Sequence, residues 1–107
     1  MKRYGSVARL LPGGYEDYKR LHADAWPDVL AMIQDCNIRN YSIYHHDGWL
    51  FSYFEYVGED FEADMATMAA DETTQKWWAA VTPPLDSWGP REEGKWWLDC
   101  EEVFHAG

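Results

Sequence analysis

An α+β fold, one antiparallel sheet with helices packed on one of its faces, is predicted by three features of the 107-residue chain. Two aromatic-rich runs, 39–46 and 49–57, flank Asp47-Gly48, and a two-residue Asp-Gly connection is a strong β-hairpin signal. Before this hairpin, Leu21, Ala25, Val29 and Ile33 recur every four residues, the spacing of a helix with one buried side. After it, a second helical stretch ends at Pro83-Pro84, and a proline disfavours helix at the residue before it.

The elements follow in order. Residues 4–11 read as a first strand, stopped by the turn signal Pro12-Gly13-Gly14. Residues 15–35 read as helix, with Leu30 beside the four-residue stripe and a break expected near Asp24–Pro27, because Pro27 tolerates only the first turn of a new helix. Strands 39–46 and 49–57 form the hairpin. In the first, Tyr41, Ile43 and His45 share one face, and Ser42, Tyr44 and His46 the other. Residues 59–70 read as a helix with Phe61, Met65 and Met68 on one side and acids on the other. A shorter helix at 72–81 carries Trp77, Trp78 and Val81. A loop, 83–95, leads to a last strand at 96–104. The order β-α-β-β-α-β is that of the ferredoxin-like arrangement, built as a single domain over residues 1–107. Such a sheet leaves one face open. With 17% aromatic residues in so small a chain, a second subunit or a ligand is expected to cover it.

Composition narrows the function. The net charge of −10 has the wrong sign for a polyanion surface, which argues against nucleic acid and anionic membranes as partners. No apolar run is long enough to span a bilayer, and no apolar segment follows the positively charged start, so a soluble cytoplasmic protein is expected. Cys36 and Cys100 form neither a disulfide framework nor a metal-ligand spacing, and no metal site is expected. A glycine-rich phosphate loop and a Gly-x-Ser-x-Gly elbow are both missing from the sequence.

Three groups of residues stand out. Tyr18 and His22 are four apart on the first helix and so project from one side, making a donor–acceptor pair suited to a hydroxylated ligand. Trp77 and Trp78 point about 100° apart on their helix, so only one can sit squarely in a core. Trp96 and Trp97, read as strand, face opposite sides.

The segments Glu16-Asp17-Tyr18-Lys19-Arg20-Leu21-His22, Trp26-Pro27, Asn40-Tyr41-Ser42-Ile43-Tyr44, Gln75-Lys76-Trp77-Trp78 and Glu102-Val103-Phe104-His105 resemble, in order and spacing, the L-rhamnose mutarotase family. The resemblance implies a homodimer of ferredoxin-like subunits, of the dimeric α/β-barrel type, with a pocket in each. It implies an isomerase that interconverts the anomers of a small neutral monosaccharide, a 6-deoxyhexose, by opening and closing the sugar ring. His22 is then the general acid, with a tyrosine or bound water as acceptor, and Tyr18, Tyr41, Trp77 and Trp78 contact the sugar. No metal, nucleotide or other cofactor is required. The segment Pro83–Lys95, with Trp88 and Arg91, departs from the family pattern, as does the unusually aromatic third strand. The substrate expected is L-rhamnose. An L-fucose mutarotase, a cofactor-free monooxygenase or haem-binding dimer, and a non-catalytic sugar-binding dimer are the alternatives.

Overall fold

Turn chemistry sets where the chain reverses. A computed structural model describes residues 1–87 and 95–107; the loop expected at 83–95 therefore lies partly, from 88 to 94, outside the described residues. Strand β1 (Lys2–Arg9) gives way to the Pro12-Gly13-Gly14 turn, with Gly13 at φ 79°. Helix α1 (Tyr15–Ala23) starts from Gly14, where an added Cβ would lie 2.9 Å from the Pro84 carbonyl oxygen, so only glycine allows the two loops to pack this closely. The expected break follows. Trp26 is extended (φ −68°, ψ 132°), and Pro27 opens helix α2 (Pro27–Asp35), where its missing N–H is no loss. Strands β2 (Ile38–His46) and β3 (Trp49–Tyr56) are joined by Asp47 and Gly48, both at positive φ (49° and 81°), as a tight right-twisted hairpin demands. Helices α3 (Phe61–Ala70) and α4 (Glu72–Val81) are capped by Asp60 and Asp71, whose side chains accept the backbone N–H of Ala63 and Thr74. Strand β4 is Leu98–Cys100.

The four strands form one antiparallel sheet in the order β2-β3-β1-β4, the ferredoxin-like order. The last strand is shorter than the 96–104 read from its aromatic residues. Among the described residues only Leu98–Cys100 pair with β1, and Val103 and Phe104 beyond them are exposed. Trp96 and Trp97 precede the ladder, so strand alternation does not govern them, and both pack against the core. Leu30, expected beside the buried stripe, is exposed, whereas Val29 is buried and Leu21, Ala25 and Ile33 pack against the core.

The helix-side core gathers Ala8, Leu10, Leu50 and Leu85 with Tyr18, Val29, Trp77 and Val81. At its far end Tyr4 stacks on Phe61 of α3 at 4.4 Å and on Phe54 at 5.2 Å. Among the described residues no helix covers the opposite sheet face. It presents Phe51 and Tyr44, both exposed, with the Arg9 guanidinium 4.4 Å above the Trp49 ring.

The β2–β3–α3 corner is tied by polar bonds. The Tyr56 hydroxyl donates to Asp64, Asn37 Nδ2 donates to the same carboxylate oxygen at 3.0 Å, and the Asp60 N–H donates to the Tyr56 oxygen at 3.0 Å. The Tyr56 and Asn37 bonds hold the Asp64 carboxyl below its usual range, and burial followed by Asp64 pushes the Tyr56 phenol up to about 12. Because the Asp64 shift is downward, the stability it contributes is complete above about pH 4 and is lost as pH falls through the folded-state value. Asp64→Asn is therefore expected to melt at a lower temperature than the parent at pH 7. The two melting curves should converge on acidification, followed by circular dichroism from pH 7 to pH 2. A gap that persisted at pH 2 would show that the carboxylate charge contributes nothing.

Candidate functional site

Helix α1 brings the site together through its i to i+4 spacing. The Tyr18 and His22 rings stack at 4.1 Å, one turn apart. His22 Nδ1–H donates to the Tyr18 carbonyl oxygen at 2.9 Å. A carbonyl can only accept, so Nδ1 carries the proton, and Nε2 of the neutral ring is left with a free lone pair. Burial lowers the His22 pKa from its ordinary value, with the Tyr18 carbonyl bond acting in the opposite direction. The ring is therefore neutral at pH 7.

Trp77 on α4 closes one side. Its ring meets His22 edge-on at 5.2 Å and Trp26 edge-on at 5.3 Å. Trp77 is 7% exposed, and truncating a tryptophan buried in this way costs about 3–5 kcal/mol. Trp78, one residue on, is 41% exposed and turned away, so the structure does not bring it to His22. This is the division that the 100° step requires: one ring inside and one outside. Trp26 is not among the sugar contacts that the sequence resemblance implies. Its place as the residue before Pro27, extended and unable to join either helix, was the available signal.

Tyr41 reaches the site from the sheet. Asn40 stands at φ 51°, and the β2–β3 register shifts between Arg39 and Ser42. This bulge adds one residue to β2 and reverses the side to which the following residues point. Ile38 faces the helices, and after the bulge Tyr41, Ile43 and His45 do so too, as the expected alternation within 41–45 requires. The Tyr41 ring lies 5.5 Å from Phe54. Tyr41 is 45% exposed as a residue, and desolvation of its phenol raises its pKa. The Tyr18 phenol is raised as well, by burial and then by Tyr41, so the two hydroxyls are close enough to interact. Both remain protonated donors at neutral pH. Tyr18 is 5% exposed, yet among the described residues its hydroxyl has no hydrogen-bond partner, and the Tyr41 hydroxyl has none either.

His45 and His46 stay at the hairpin end. His45 stacks on Tyr15 at 3.9 Å and its Nε2 accepts the Gly48 N–H at 3.0 Å. Among the described residues no group of three His, Cys, Asp or Glu side chains is placed to hold a metal, and no helix is long and apolar enough to cross a membrane.

Two donor phenols, a basic imidazole nitrogen and an indole wall form an arrangement suited to a polyhydroxyl ligand with an apolar face. Comparison with known proteins points the same way. The family model described as L-rhamnose mutarotase matches residues 3–106. The chain is 33% identical to the L-rhamnose mutarotase of Bacillus subtilis over 107 residues and 33% identical to that of Listeria monocytogenes over 105, in each case covering 98% of both chains. Among solved structures, its fold is similar to the L-rhamnose mutarotase of Formosa agariphila (TM-score 0.79, 22% identity, 100% of both chains). It is also similar in fold to the tetracenomycin F2 cyclase of Streptomyces glaucescens (TM-score 0.71, 14% identity, 100% of both chains). The chain belongs to the L-rhamnose mutarotase family, a family of isomerases.

Proposed function

We propose that the protein interconverts the α and β anomers of a 6-deoxyhexose, with L-rhamnose as the substrate, and that His22, Tyr18, Tyr41 and Trp77 do the work. One observation carries this reading: the Tyr18 hydroxyl is buried with no partner among the described residues, beside an imidazole nitrogen with a free lone pair. Leaving a buried hydroxyl unpaired costs about 1–3 kcal/mol. A sugar hydroxyl would satisfy it.

The chemistry follows from the protonation states. Neutral His22 takes the proton of the anomeric hydroxyl on Nε2 as the bond from C1 to the ring oxygen breaks. The ring oxygen leaves as an alkoxide and gains a proton from a phenol or water. The open-chain aldehyde turns about its C1–C2 bond, and the freed hydroxyl gives its proton back to the phenolate or hydroxide as its oxygen closes on the other carbonyl face. Imidazolium then returns its proton to the new anomeric oxygen, which is the general-acid role implied by the sequence resemblance. Burial supports the opposite role for the first half of the cycle, because the resting ring is the base. The apolar C6 methyl group lies against an indole; Trp78 would join it only from the outer side of α4.

The active unit is proposed to be a homodimer through the open sheet face. Phe51 and Tyr44 are exposed on that face, and a contiguous exposed aromatic patch marks a surface that a partner covers.

His22→Ala should slow anomeric exchange of L-rhamnose about 10²- to 10⁴-fold, read from NMR saturation transfer between the α and β H1 signals. In the parent, kcat/KM should be level above pH 7 and fall on the acid side with an apparent pKa below 6.5, as the base is protonated; a rate that rose with acidity would reverse the assignment. Tyr18→Phe removes an unpaired hydroxyl, so its melting temperature should equal or exceed the parent's. Its affinity for L-rhamnose, followed by tryptophan fluorescence, should drop about tenfold. A destabilised Tyr18→Phe with unchanged affinity would make that hydroxyl structural. Phe51→Glu places a charge on the open face and should convert a dimer to a folded monomer in sedimentation velocity. A parent that sediments as a monomer removes the dimer from the proposal.

A further inference from the structure

On the helix side of β3 the residues run Leu50, Ser52, Phe54, and on β1 they run Ala8, Ser6, Tyr4. Leu50 is packed with Tyr18 and Trp77, and Phe54 touches Tyr41. Ser52 lies between them, one pleat of about 7 Å from each, and pairs across the ladder with Ser6 on one side and Ile43 on the other. The two serines are the small polar step in a row otherwise made of alanine, leucine and aromatic rings. They lie at the centre of the sheet, between the residues that carry the site.

Their hydrogen bonds do not balance. The two Oγ atoms are 2.5 Å apart and share one hydrogen. Each hydroxyl brings one hydrogen and two lone pairs. One hydrogen and most of the acceptor capacity are therefore unspent, and among the described residues neither side chain makes another hydrogen bond. Ser52 is only 7% exposed and Ser6 is half-buried, so on the Ser52 side bulk water does not take up the remainder. A buried polar group with capacity left over is rare unless a ligand or ordered water completes it. Core packing alone would favour alanine or a larger apolar side chain at both positions.

We propose that the Ser6–Ser52 hydroxyl pair is a further sugar-binding contact. It donates to one ring hydroxyl remote from the anomeric carbon and so sets which deoxyhexose is accepted. The inference rests on the mutarotase reading. His22 and Tyr18 approach from α1, and the serines approach from the sheet, so a pyranose held between them has its reacting end at the helix and its distal hydroxyls at the sheet. The pair positions the sugar and takes no part in proton transfer.

The test compares the parent, Ser52→Ala and Ser6→Ala on L-rhamnose and on its analogues lacking the hydroxyl at C2, C3 or C4. Affinity is read from tryptophan fluorescence and exchange from NMR. Either variant should bind L-rhamnose about three- to tenfold more weakly, with KM raised and kcat unchanged. The parent should lose the same factor with one of the three analogues, and on that analogue parent and variants should be equal. Unchanged L-rhamnose affinity, or a loss of equal size on L-rhamnose and all three analogues, overturns the contact. Ser6→Ala reads the same bond from the other strand should Ser52→Ala fail to fold. A parent that neither binds nor exchanges any of these sugars overturns the mutarotase reading itself, a result distinct from one in which the parent works and the serine variants match it.

Discussion

Trp77 links the core to the site, and the rest of the arrangement leans on that placement. Its ring is packed with Val81, Leu50 and Tyr18 in the core cluster, while its other contacts are edge-on to His22 and Trp26. A large rigid side chain held by packing on one side presents its other side with little freedom. The position depends in turn on the cap of α4, where the Asp71 carboxylate accepts both the backbone N–H and the hydroxyl of Thr74, a residue buried one turn before Trp77. The break at Trp26-Pro27 belongs to the same construction. A continuous helix through residues 15–35 would carry Trp26 round with the helical repeat. The extended residue lets it meet Trp77 instead.

The polar groups around this indole are arranged at some expense of stability. Tyr18 and Ser52 are almost fully buried, and each has hydrogen-bonding capacity that the described residues do not use. The contrast with the β2–β3–α3 corner is instructive. There Tyr56, Asp64, Asn37 and the Asp60 backbone satisfy one another, which is how a polar cluster serves structure. Near Tyr18 the same kinds of group are left incomplete. One end of the sheet is thus closed by polar bonds, while at its middle Tyr18 and Ser52 keep hydrogen-bonding capacity unspent among the described residues.

The open face poses a separate problem. Phe51 and Tyr44 are exposed on it, and the C-terminal segment runs past the short β4 with Val103 and Phe104 uncovered. Its polar groups are engaged: Arg3 pairs with Glu102, and Tyr53 and Asn40 both bond Glu55. The bonds order the face without covering its aromatic residues, which suits a surface that meets another aromatic surface.

Local features were legible because they act over a few residues. The hairpin at Asp47-Gly48, the break before Pro27 and the turn at Pro12-Gly13 all follow from the backbone preferences of single residues. The Tyr18–His22 pairing follows from helix geometry, and the family from the order of short segments spread along the chain. What the sequence left undecided depends on partners distant along the chain. Which of Trp77 and Trp78 is buried is decided by how α4 rests on the sheet. Strict alternation from Ile38 would have turned Tyr41 outward; the bulge at Asn40, held by its bond to Glu55 on β3, returns it to the helix side. The meeting of Ser6 with Ser52, 46 residues apart, is set by the β1–β3 register. By itself the sequence determined the elements, their order and the residues able to carry the chemistry. Only the tertiary structure decided which of those residues face one another, because strand register and helix docking are settled by burial summed over many contacts rather than by any residue's own preference.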